Sequence, residues 1–367
     1  MIDLLEIRDK SRAVIGVIDT ASSVIWNIKY FGVGDFEIYI PFTAENNNML
    51  QVGHYVTRQN ERNIGIIEHI SIFYSAQDGR MITASGRFAK SLLDRRIIYD
   101  LRGHSITPVI SRGNVEQAAR ALVKDCLITA TDTARNIDFV ELGALNGYPA
   151  TLPDQKQTSY SNLLEYTDKL LQEYDLASYF LIDRKTLQLQ YTVYSGADRS
   201  ISNTSGNDPL IFSQEHDNLL SSDYNYNEQA HKNAALIGGA GEGIERFMQL
   251  MAGNKAGIDR REVFIDAIDQ SRTYKDGETD NAYTDAEYIG MLTAKATQSM
   301  KEMGIVDTMA GEIDITNSGL QLDIDFYVGD IITIQDNELQ KYVNSRITKV
   351  VEVQDESGYM VNIEFGE

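Results

Sequence analysis

The cluster Gly238-Gly-Ala-Gly-Glu-Gly243 follows an apolar run and precedes Ile244-Glu-Arg-Phe-Met, so the first chemistry to test is a phosphate-cradling loop. Its spacing is wrong. No Lys-Ser or Lys-Thr follows, Gly-x-Gly-x-x-Gly is absent, and Glu242 would meet a phosphate with like charge. A flexible strand exit or bulge accounts for the glycines better. The acidic run Asp276, Glu278, Asp280, Asp285 and Glu287 offers oxygen ligands for calcium, but lacks the EF-hand order of a glycine at the sixth and a glutamate at the twelfth loop position. Acids leading into a helix N-terminus, where they complement the macrodipole, are the better reading. Glycosidase-type carboxylate pairs depend on separation in space, and among 54 acids some pair always looks suggestive.

Nucleophilic chemistry finds no better footing. There is no Gly-x-Ser-x-Gly elbow and no His-Glu-x-x-His helix, and the five histidines (54, 69, 104, 216, 231) are scattered. His69 falls in an alternating strand and His231 beside a strand start. The lone Cys126 sits at helical spacing with Val115, Ala119 and Leu122, which places it in a core. Asp94-Arg-Arg-Ile97 reads as structural ion pairs rather than a grip on DNA. Twenty tyrosines against one tryptophan suit amphipathic protein contacts. No catalytic, cofactor-binding or metal-binding residue is assigned.

Elements of two textures would have to position any site. Residues 12–99 alternate with a period of two: Val24–Tyr30 and Phe36–Ile40 form a hairpin, followed by Tyr55–Thr57, Gly65–Tyr74, an Asp78-Gly79 turn and Met81–Ser85. Such short strands favour a small barrel or sandwich, and the chain is expected to turn helical after Gly86. Beyond about residue 110 come a helix capped by Asn114 with Gln117 in a capping-box-like place, a second from Ser161 to Tyr174, and strands 178–182 and 187–193. The polar stretch Ser195 to Pro209 reads as a junction. Strands at 210–213, 219–227, 233–239 and 262–268 follow, then a loop over 272–283. Thr284 and Glu287 open a helix with Tyr288, Leu292, Ala296 and Met303 inward, and Gly304 ends it. The chain closes on strands at 313–315, 329–334, 345–353 and 359–365, the last two joined by a turn at Asp355 to Gly358.

The 367 residues carry 33 basic and 54 acidic side chains, a formal charge of −21 and a pI of about 4.6, which argues against a protein that coats nucleic acid. With 43% apolar and 24% charged residues the chain is neither disordered nor collagen-like, and its length suggests two or three domains. One cysteine excludes an internal disulfide. Acids from Asp3 onward break up any signal peptide, and charges interrupt every apolar window short of a bilayer span, so no secretion and no membrane anchor are expected.

Several separated strings carry a resemblance. Trp26 to Pro41, Gly86-Arg-Phe-Ala-Lys-Ser-Leu-Leu-Asp-Arg-Arg-Ile97 and Tyr194-Ser-Gly-Ala-Asp-Arg-Ser200 resemble siphophage and prophage tail-hub proteins of the tail-associated, Gp37-like kind. So do Ile211-Phe-Ser213 with Asn218-Leu, Lys232-Asn233 leading to Gly239, Gly257-Ile-Asp-Arg-Arg-Glu262, Val328-Gly-Asp-Ile-Ile-Thr333 and Arg346-Ile-Thr-Lys-Val350. The likeness spans roughly residues 10 to 366, and the family is similar in fold to the central hub of contractile-tail baseplates.

The resemblance implies an α+β, β-rich fold with two hub-type β-barrel domains and peripheral α+β domains. Residues 1–110 would form the first barrel, 111–204 an α+β domain, 205–255 with 305–367 the second barrel, and 256–304 a helical or α+β insertion. It implies a homotrimer presenting a pseudo-sixfold face to the distal tail protein, with tail-tip fibre or receptor-binding proteins and the tape-measure protein as further partners. DNA would pass the lumen without specific binding. Longer relatives continue into lytic or host-binding extensions, whereas this sequence stops at Phe365-Gly-Glu367, so such work is expected of another protein. Two rival readings stay open: a carboxylate-type hydrolase acting on cell wall or surface polysaccharide, and a host-adhesion module.

Overall fold

The structure is a computed structural model that describes residues 4–58, 62–102, 105–107, 109–152, 156–276, 279–313 and 319–366. The N-terminal part comprises β1 (Leu5–Arg8), β2 (Val14–Ile18), β3 (Ser23–Lys29), β4 (Asp35–Pro41), the short helix α1 (Ala44–Met49), β5 (Tyr55–Thr57), β6 (Gly65–Ser75) and β7 (Gly79–Phe88). Alternation is the cause. Val24, Trp26 and Ile28 of β3 and Phe36, Ile38 and Ile40 of β4 point to one buried side, and the Trp26 ring packs 4.9 Å from Phe88 and 5.5 Å from Phe36. The turn before β7 uses Gly79 at φ +75°, which a side chain would strain.

These strands form an 11-stranded sheet in the order β2-β1-β5-β6-β7-β4-β3, continuing through Lys341–Asp355 and Ile331–Asp336 to Ile211–Ser213. Gly358–Gly366 pairs with Lys341–Asp355 as a further partner. Every pair is antiparallel except that Ile211–Ser213 runs parallel to Ile331–Asp336. The two β-rich stretches of the sequence therefore meet edge to edge, in a seam running from Lys29↔Lys349 to Val24↔Gln354. Among the described residues no sheet closes on itself. The class is β-rich α+β, and one edge of each half is spent on pairing it with the other.

Gly86 differs from its expected place ahead of a helix. It lies within β7 opposite Phe36, next to a bulge of β6 at Ile67/His69, and a Cβ there would come within 1.8 Å of the Ile66 carbonyl oxygen. The strand runs on to Phe88 and then tightens into a 3-10 turn, Ala89–Arg95.

That turn packs into the α+β part. Helix α2 (Val115–Val123) is capped by Asn114, whose side chain accepts from the Gln117 amide at 3.0 Å, and α3 (Leu163–Gln172) by Asn162, which accepts from Leu164 and Glu165. They cover a sheet of Val140–Leu142, Leu189–Tyr194 and Ala177–Ile182. One apolar core includes Ile64 and Ile66, Leu92 and Leu93, the buried faces of both helices and Phe180, Tyr191 and Val193.

The chain divides into two units, 1–223 with 308–367 and 224–307. In the second, Ala234–Gly238 lies between antiparallel Met248–Met251 and parallel Glu262–Asp266. Helix α4 (Asp285–Lys301) presses Tyr288, Leu292 and Ala296, at i, i+4 and i+8, against Ala235, Ile237, Ile265 and Ala267. Thr284 and Glu287 form the anticipated capping box. The stretch read as a loop over 272–283 contains a hairpin, Thr273–Asp276 with Thr279–Ala282. No helix among the described residues is long and apolar enough to cross a membrane.

Candidate assembly surface

Among the described residues, most of those singled out for chemistry are engaged structurally. Around the glycine cluster, the Gly239 amide donates to the Phe247 carbonyl at 2.8 Å and the Ala240 amide to the Tyr288 hydroxyl at 2.7 Å. The Arg246 guanidinium donates to the Gly238 and Gly239 carbonyls at 2.9 and 3.1 Å, so the loop turns acceptors rather than a nest of amides toward its cation. In the acidic run, Asp285 pairs with Arg272 and Glu287 caps α4, while Glu278 and the side chains of Asp276 and Asp280 lie outside the described residues. No group of acids, histidines and cysteine suited to a metal ion occurs among the described residues.

Among the described residues, Ser213 and His216 form a Ser-His pair, at Oγ to Nδ1 2.7 Å, but Ser213 also accepts from the His216 amide and so caps a short 3-10 turn. His54 bonds the Met49 carbonyl, His69 is exposed at the β6 bulge and His231 lies in the other unit, while His104 lies outside the described residues. Burial pushes the Cys126 thiol up, away from thiolate reactivity. The Asp94-Arg-Arg string makes ion pairs as expected: Asp94 with Arg87 at 2.9 Å and Arg95 with Glu68 at 3.3 Å, while Arg87 also grips Glu68 at 2.8 Å. Hydrogen bonds from Arg87 hold both carboxyls below their ordinary values.

Sequence reasoning missed the polar joints between elements. Glu352, only 1% exposed, receives Arg58 through both guanidinium nitrogens and the Tyr359 hydroxyl at 2.6 Å. Arg58 also lies over the Trp26 ring at 5.7 Å. The group ties the end of β5 to the C-terminal strands across a separation of 294 positions. Its one visible signal is a glutamate on the same strand face as Val350, where an apolar residue belongs. A second joint is Lys90 with Asp168 at 2.6 Å, in which burial pushes the Lys90 ammonium down and the carboxylate pulls it back. Arg12, at φ +71°, reaches the Leu187 carbonyl at 2.6 Å and lies 4.0 Å over the Phe139 ring.

Strand β2, Val-Ile-Gly-Val-Ile, ends the 11-stranded sheet, and Val14, Ile15 and Val17 are exposed on it. Natural edge strands are blunted by lysine, proline or a cover, and this one carries none of those residues. Near the tip of the β6–β7 hairpin, Ile72, Phe73 and Tyr74 are also exposed, with Phe73 stacked on Tyr39 at 5.8 Å. Unpaired backbone groups beside bare apolar side chains can accept a strand from another chain.

The model of the Siphovirus ReqiPepy6 Gp37-like protein family matches residues 4–367. The structure is similar to a tail protein from Neisseria meningitidis MC58, with a TM-score of 0.60, 14% identity, and coverage of 99% of this chain and 96% of that one. It is also similar to a 43 kDa tail protein of prophage MuSo2 from Shewanella oneidensis (TM-score 0.59, 12% identity, 100% and 98% covered). A third likeness is the prophage tail protein gp18 from Listeria monocytogenes EGD-e (TM-score 0.53, 12% identity, 99% and 94% covered). No curated protein matches the sequence. At these identities the likeness establishes a shared fold, that of phage tail proteins.

Proposed function

The chain belongs to the Siphovirus ReqiPepy6 Gp37-like protein family, and on that premise we propose that it is the structural hub of a phage tail tip. The observation that carries the reading is the seam: one sheet joins the N-terminal and C-terminal β halves, so a single chain holds two β halves side by side. Three such chains supply six halves. The first half comes from within residues 1–110 and the second from within 205–255 and 305–367, and the halves close as barrels when neighbouring copies complete the ring. The bare edge of β2 is suited to that contact. A pseudo-sixfold face then meets the distal tail protein, and the opposite face carries fibre or receptor-binding proteins at the tail tip.

The tape-measure protein and then DNA occupy the lumen. A trimer carries three times the −21 of one chain, and an acidic wall lets phosphates slide without the salt-dependent grip of a basic lining. The reading needs no turnover, which accords with residues that serve as caps, joints and ion pairs. Native mass of the purified chain tests it: the expected species has three times the 41.2 kDa of one chain, alone or with the distal tail protein added. A chain that stays monomeric in both samples contradicts the hub.

A further inference from the structure

The unit formed by residues 224–307 has a second sheet face that α4 does not cover. Register sets Leu236 directly between Leu250 and Phe264, and all three side chains point away from the helix and are exposed. Met248 extends the row along its strand and is also exposed. Two turns frame this face. Gly243-Ile-Glu-Arg246 follows the C-terminal end of the central strand, and Gly257-Ile-Asp-Arg260 precedes the strand that starts at Glu262 beside Ala234, at the opposite end. In each, a glycine at positive φ (+55° and +61°) starts a 3-10 turn that throws its isoleucine into solvent, leaving Ile244 98% and Ile258 95% exposed. Isolated exposed apolar residues are ordinary; the cross-strand row of Leu236, Leu250 and Phe264 is a patch, with the Arg246 guanidinium 5.4 Å from the Phe264 ring and a solvated isoleucine in the turn at each end of the central strand.

We propose that this face docks an amphipathic helix of a partner tail protein, with an apolar stripe and flanking lysine or arginine residues. Dimensions and charge fix the occupant. Three strands span about 10 Å, the width of one helix, and five strand residues run about 16 Å, or three helical turns. The same strands already seat a helix, α4, on their other face. Each isoleucine is followed by an acid, Glu245 and Asp259, and Glu242 stands beside the first turn; these three have no ion-pair partner among the described residues. The two turn arginines are consumed internally, Arg246 by Asp266 and Arg260 by Glu262. Unpaired acids beside apolar pins repel an anionic membrane and attract a basic rim.

The proposal goes beyond the hub reading and does not depend on a threefold ring. Its test places a photo-reactive benzophenone at Ile244, Ile258 or Phe264 of the full chain, assembled into tails, with the adduct identified by mass spectrometry. The expected adduct is one peptide of a different tail protein, apolar at i, i+3 or i+4, and i+7 and flanked by Lys or Arg. Its yield at position 264 should fall at least tenfold in an Ile244→Glu, Ile258→Glu variant. Those sites are too exposed to disturb folding, and the two added acids would strengthen binding that was merely electrostatic. An adduct to a second copy of this chain or to lipid, or no adduct from tails that contain the chain, overturns the proposal. Tails that lack the chain altogether overturn the hub reading instead.

Discussion

Removing the carboxylate of Glu352 leaves the Arg58 guanidinium buried against Trp26 without its counter-ion, and removing one partner of a buried pair costs about 3–5 kcal/mol. Glu352→Ala should lower stability by that amount in urea titration. A double variant, Arg58→Met with Glu352→Leu, should recover more than half of the loss, because no charge is left unpaired; equal losses in the two would refute the account of the joint. The Arg87 network predicts a pH effect. Glu68 and Asp94 have folded-state values lowered from 4.5 and 3.8 by hydrogen bonds from Arg87, so their contribution is full above those unfolded values and is lost as pH falls through the lowered ones. In Arg87→Met the urea midpoint should be lower at neutral pH and should fall less steeply on acidification. A curve parallel to wild type would show that Arg87 does not hold the two carboxyls.

Alternation made β3, β4 and most of β6 and β7 legible in the sequence, cap chemistry marked α2 and α4, and amphipathic spacing marked α3. Thr284→Ala, which removes half of the α4 capping box, should cost about 1 kcal/mol in the unfolding of residues 224–307, read by hydrogen exchange along α4. Gly86 was harder to place, because a glycine before Phe-Ala-Lys-Ser-Leu-Leu looks like a helix start. Its need for glycine comes from a carbonyl of β6, a neighbour that is remote in sequence. The seam between β3 and Lys341–Asp355 was invisible for the same reason: both strands alternate equally well as parts of separate barrels, and periodicity carries no information about which edge pairs with which. Of the assembly surface, the strings near 257–262 were legible but the exposure of Ile258 was not. Strand β2 gives an element-scale prediction: Ile15→Lys with Val17→Lys, both exposed, should abolish self-association while shifting the melting temperature of the chain by only a few degrees. Persistent trimers in that variant would move the contact to another edge.

At the scale of the whole molecule, the two β halves of an acidic chain share one sheet, and among the described residues most of the catalytic candidates make caps, joints or ion pairs. The central claim is that three copies surround the tail axis and contribute six β halves. The most direct measurement is an electron cryo-microscopy reconstruction of the tail tip, refined without imposed symmetry and with this chain located in the density. The account predicts three copies around the axis, with the 11-stranded sheets lining a continuous lumen. Six copies, a single copy, or density for the chain confined to a lateral fibre would contradict it.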